Sequence, residues 1–230
     1  MNLGDLDGEP PVTDLRLAGD VLRPALRLWL LVIGLLGLNA LLWAYLVPHL
    51  SQGSVLPLVV YEIVYAAMAV VIARFAWHDR AACRVFARPR RGMVELCLLV
   101  GIVGSMLLAM WERSITWSGS ASPILLEHGA GWPIAATLLT SAVMPAVFEE
   151  LMYRGVVLQR LRAVLSLPLA LATQAMLFSV MHMDMVYVLP HFVFGCLAGL
   201  LRTAARALWP CMLMHFLWNG WLVLEQYEWL

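Results

Sequence analysis

The sequence predicts an all-α fold: a polytopic transmembrane helical bundle of about seven spans with its N-terminus cytoplasmic. Three observations predict it. Of the 230 residues, 62% are hydrophobic and only 13% charged, whereas a soluble domain is about half apolar and about a quarter charged. The apolar residues gather into seven runs, each close to the length of about 20 residues that a bilayer span needs. The 15 basic residues, all arginine, crowd into every second connection between those runs.

Taken in order, residues 1–26 read as a short cytosolic tail. It holds five acidic residues, is broken by Gly4, Gly8 and Pro10-Pro11, and makes a poor signal-peptide n-region. The apolar runs follow at 28–47, 55–75, 93–111, 133–153, 167–182, 185–201 and 208–225. Residues 27–132 form an N-terminal set of transmembrane helices and connecting loops, and residues 133–230 a catalytic four-helix core. Trp29, Trp43, Trp77, Trp111, Trp132 and Trp209 stand near the ends of runs, as an interfacial belt requires. Segment 111–132, rich in aromatics and glycines, reads as an outer lid or interfacial helix.

Arginine placement sets the orientation. With the N-terminus inside, 14 of the 15 arginines are cytoplasmic and only Arg113 is not, which satisfies the positive-inside rule. Zero net charge excludes the basic surface a nucleic-acid partner needs. Cys83, Cys97, Cys196 and Cys211 contain no CxxC pair, which argues against a disulfide framework or a zinc knuckle. The arginine-only basic set points to a bacterial, high-GC source and to the inner membrane.

An ionisable group deep in a bilayer costs about 3 kcal/mol on insertion scales unless it is paired or faces a wet cavity. Such groups concentrate in the last four runs: Glu149, Glu150, Arg154, His182, His191, His215 and Asn219. The first three runs add only Glu62, read as a structural partner, and Glu95, close enough to the arginine-rich end to snorkel. Glu150 and Arg154 stand at i,i+4 in the favourable order for an ion pair. Glu149 is turned about 100° from Glu150 and faces elsewhere.

The runs carrying Glu149 and His182 meet in a turn near Ser166, 17 residues after the first and 16 before the second. In an antiparallel hairpin both then lie about 25 Å from that turn. A Glu-His dyad is therefore permitted, although a lone histidine in an apolar helix is also an ordinary core residue. His215 and Asn219, at i,i+4, share a face and offer donors for an oxyanion or for a helix–helix contact. Gly195 and Gly199 form a GxxxG that lets helices approach closely. His191 reads as structural.

Together these motifs resemble the CPBP family, intramembrane glutamic proteases that include type II CAAX prenyl endopeptidases and bacteriocin-processing or immunity-associated proteins. The family pattern is met, in order, by Glu149-Glu150-x-x-x-Arg154, Phe178-x-x-x-His182, Phe192-x-x-Gly195-x-x-x-Gly199 and His215-x-x-x-Asn219. The resemblance implies that Glu149 is the general base activating water, assisted by His182, and that His215 and Asn219 stabilise the oxyanion. Glu150, Arg154 and Phe178 would support the site or orient substrate. It implies no cofactor and no metal. A carboxylate desolvated in a bundle is a stronger base, and the water it activates calls for a hydrated cavity.

Two other readings stand beside this one. A zinc metalloprotease would use Glu149, His182 and His215 as a His₂Glu set, though no HExxH is present. A non-catalytic scaffold or immunity protein would keep the fold without the chemistry. The expected partners are the lipid bilayer and a membrane-associated peptide or protein. A prenylated CAAX end, a leader peptide and a C-terminal sorting tail would all suit such a site.

Overall fold

The computed structural model describes residues 14–46, 49, 56–114 and 131–227. The described residues are helical, without strands, in the order α1 (Leu15–Leu46), α2 (Leu56–His78), α3 (Arg80–Cys83) and α4 (Met93–Ser114). There follow α5 (Ile134–Arg162), α6 (Leu167–Met181), α7 (Val188–Ala205) and α8 (Trp209–Gln226). Each of the seven predicted runs is a helix, and the one-turn α3 is extra. Most of the segment 111–132 lies outside the described residues.

The expected tail over 1–26 is corrected at its end, because α1 begins at Leu15. Asp14 Oδ1 accepts the N–H groups of Arg16 at 2.8 Å and Leu17 at 3.4 Å, satisfying donors that a helix start otherwise leaves orphaned. From there Val21, Ala25, Leu28 and Val32 are buried at helical spacing. The packed face thus begins inside the segment read as polar.

Among the described residues five helices, α1, α2, α4, α5 and α7, are long and apolar enough to cross a membrane. α6 is a shorter apolar helix of 15 residues, and α8 has 18. The burial pattern inverts that of a soluble domain. Leu41, Ile63, Val70, Leu107 and Met110 are exposed, whereas Glu150, Arg154, Gln174, Arg202 and His215 are buried. Lipid satisfies the first set, and only protein partners satisfy the second.

The packing places α8 against α4 and α5, α7 against α6, and α1 against α2, with α5 in the middle. The glycine motif works on the α6–α7 seam. A Cβ on Gly195 would stand 2.8 Å from Ala175 Cα, and Gln174 Nε2 donates to the Gly195 carbonyl at 2.7 Å. Only a residue without a side chain permits that approach.

At the end of the bundle where the arginines gather, three of them tie helices together. Arg160 makes a two-pronged bond to Asp79 (Nε–Oδ2 2.7 Å, Nη2–Oδ1 2.6 Å) and donates to the Val21 carbonyl at 2.8 Å. Arg202 donates to the carbonyls of Ala82 and Cys83. The Arg90 N–H donates to Ala205 O at 3.1 Å. These contacts fix the ends of α1, α2, α4, α5 and α7 in one layer.

Candidate active site

α5 carries both glutamates on a local irregularity. Two π-helical stretches, Leu139–Val143 and Leu151–Val157, bracket the α-helical turn Met144–Glu150. Such wide turns rotate the side chains that follow them and recur at functional sites. Pro145 sits in the bracketed turn and has no N–H to give the carbonyl four residues back, Ser141. Asn219 Nδ2, from α8, donates to that carbonyl at 3.2 Å.

The adjacent glutamates face different surroundings. Glu150 is fully buried, and its Oε1 accepts from Arg154 Nη1 at 2.8 Å and from His215 Nδ1 at 2.9 Å. The expected ion pair is present, and His215 joins it from α8. Arg154 is itself fully buried, its guanidinium 4.5 Å from the centre of the Phe178 ring and 5.4 Å from that of Phe194. Two aromatic faces partly replace the solvation that burial removes.

Glu149 is 13% exposed where Glu150 is 0%. Its carboxylate looks into a cavity of about 300 Å³. One wall comes from α5 and α6, with Phe148, Glu149, Met152, Met181, His182 and Met183. The facing wall comes from α1 and α2, with Val32, Leu36 and Asn39 on one helix and Tyr61, Tyr65 and Met68 on the other. Glu149 Oε1 accepts from the Tyr65 hydroxyl at 3.4 Å, and its Oε2 lies 3.9 Å from His215 Nε2.

His182 caps α6 and lines the same cavity, so the equal depths inferred from spacing bring Glu149 and His182 to one chamber. Its Nδ1 donates to the Phe178 carbonyl at 2.9 Å, which leaves the Nε2 lone pair available in the neutral ring. The imidazole stacks on His191 with centroids 3.7 Å apart and planes 16° apart. The chain turns sharply after it through Met183, at φ +51°. Tyr153 OH donates to the Leu177 carbonyl at 3.2 Å and pins this end of α6 to α5.

The site residues inferred from sequence therefore separate into groups. Glu149 and His182 share the cavity. Glu150, Arg154, Phe178 and His215 form the buried cluster behind it. Asn219 mends the proline break in α5. Among the described residues no group of three His, Cys, Asp or Glu side chains is arranged to hold a metal ion, so the alternative set of Glu149, His182 and His215 is not assembled as ligands.

Sequence reasoning missed the α1–α2 wall, the Tyr65 contact and the stack of His191 on His182. The available signal was Tyr61 and Tyr65, one turn apart and flanking Glu62 in an otherwise apolar run.

Residues 130–221 match the family model described as type II CAAX prenyl endopeptidase, Rce1-like. This segment is similar to that endopeptidase family. It runs through α5, α6 and α7 into α8, and so contains every motif residue from Glu149 to Asn219. α1, α2 and α4 lie outside it. No curated protein and no solved structure matches the chain. That match and the five described helices long and apolar enough to cross a membrane support an integral membrane protein.

Proposed function

We propose that this protein is a metal-independent intramembrane glutamic endopeptidase acting on a membrane-associated precursor. The observation that carries the reading is the division of labour between adjacent carboxylates. Glu150 is consumed by Arg154 and His215, while Glu149 faces the His182-lined cavity.

In this mechanism Glu149 takes a proton from a water in the cavity, and the hydroxide oxygen attacks the carbonyl carbon of the scissile amide. The carbonyl π electrons move to oxygen. His215, its ring oriented by the Nδ1 contact with Glu150, stabilises that oxyanion from its Nε2 side. An orienting acid behind a working histidine is the logic of hydrolytic triads. Asn219 uses one amide N–H on Ser141 and has a second to offer. The proton held by Glu149 passes to the leaving nitrogen, directly or through His182, and the C–N bond breaks. The same reading sets the arginine-rich end in the cytoplasm of a bacterial inner membrane.

The test uses the full chain in proteoliposomes, offered a farnesylated CAAX peptide, a C-terminal sorting-tail peptide and a leader peptide. Cleavage of one of them by the wild type, unaffected by chelator and abolished by Glu149→Gln, supports the reading. Cleavage lost with chelator and restored by zinc points to the metalloprotease instead. Cleavage of none of the three, or an active Glu149→Gln, overturns it, and the former favours a non-catalytic scaffold or immunity role.

A further inference from the structure

We infer that Tyr65 is a positioning residue for Glu149, so that the catalytic site is completed by α2, from outside the Rce1-like segment. The inference rests on the reading of Glu149 as the base. Tyr65 OH lies 3.4 Å from Glu149 Oε1 and lines the same cavity. A phenol hydroxyl donates to the strongest acceptor within reach. In this largely apolar wall that acceptor is the carboxylate. Tyr61, one turn earlier on α2, stacks on the Tyr65 ring with centroids 6.1 Å apart and planes 23° apart, and so restricts where the hydroxyl can go.

The geometry distinguishes the two oxygens of Glu149. Oε1 is addressed from α2 by Tyr65, and Oε2 from α8 by His215 at 3.9 Å. A carboxylate bonded at Oε1 turns less freely about its last bond. Its remaining lone pairs then keep one direction toward the water. Reactive groups lose large factors in rate when misaligned by about 1 Å, so a hydroxyl that never touches substrate still governs the rate. Tyr65 acts through Glu149, and its removal lowers turnover without weakening substrate binding.

The experiment uses the full chain in proteoliposomes, labelled with ¹³C-glutamate, and reads the infrared carboxylate stretch. The Glu149 band is the one missing from Glu149→Gln. Tyr65→Phe removes one hydroxyl and keeps the ring, and it shifts that band because a donor is lost. Site-specific 3-fluorotyrosine at position 65 is a stronger donor in an unchanged fold, and it shifts the band the opposite way. Tyr45→Phe, on an exposed tyrosine of α1, leaves the band in place.

On the cleaved peptide, Tyr65→Phe lowers kcat about tenfold, the worth of roughly one net hydrogen bond, with KM within about twofold. A Glu149 band that stays put in both Tyr65 variants overturns the inference, as does a shifted band with kcat unchanged. If the wild type cleaves nothing, the proposed function fails, while the infrared comparison still decides whether Tyr65 holds Glu149.

Discussion

Replacing Arg154 with methionine tests the buried cluster behind the cavity. The guanidinium is wholly buried, bonded to Glu150 at 2.8 Å and covered by Phe178 and Phe194. Methionine keeps most of the stem packing between the two rings and removes the charge. Glu150, also wholly buried, is then held only by His215 Nδ1. Breaking a buried ion pair from one side costs about 3–5 kcal/mol, and the surviving His215 bond sets the loss near the lower figure. The double variant Glu150→Gln, Arg154→Met leaves neither charge stranded, so its loss falls short of the sum of the single losses by about 2–3 kcal/mol. Denaturant unfolding in detergent, followed through the fluorescence of the ten tryptophans, measures all four proteins. Additive losses, or an Arg154→Met protein as stable as wild type, would refute the pairing.

Three further outcomes follow from other contacts. Gly195→Leu drives a side chain into the backbone at Ala175 and costs about 1–3 kcal/mol or more, whereas Gly34→Ala, with nothing within 4 Å of its new Cβ, costs nothing and gains up to about 1 kcal/mol of helix propensity. Burial, aided by the Asp79 carboxylate, pushes the Cys83 thiol up to about 12. The folded protein therefore keeps that thiol protonated and unlabelled by maleimide at pH 9, and mass spectrometry finds it labelled once the chain is unfolded in detergent at the same pH. Asn219→Ala destabilises the wild type by about 1 kcal/mol through the Ser141 carbonyl. In a Pro145→Ala background, where a backbone N–H is restored, the same change costs less; equal costs in the two backgrounds would show that the amide does not mend the proline break.

Much of this architecture was readable because apolar length is a one-dimensional property. Seven runs of near-span length give seven helices, and the i,i+4 pair Glu150–Arg154 is local to one helix. The start of α1 was also legible, in Asp14 and in the spacing of Val21, Ala25, Leu28 and Val32, but the acidic residues around that spacing hid it. What stayed hidden depends on how helices rotate against one another. Nothing local says that His215 turns its Nδ1 to Glu150, or that the Tyr65 face of α2 meets Glu149. The π-helical stretches around the glutamates have no compositional mark. Pro145 announces an unpaired carbonyl, yet only the packing of α8 on α5 makes Asn219 its partner, a duty that the pairing of His215 with Asn219 on one face did not suggest.

The most direct measurement is a comparison of protein termini in native-host membranes carrying either the wild-type protein or Glu149→Gln at matched expression. The account predicts at least one terminus present with the wild type and lost with the variant, which would name both the substrate and its cut site. Identical termini in the two membranes, with both proteins stably inserted, would contradict a catalytic Glu149 and leave a non-catalytic scaffold.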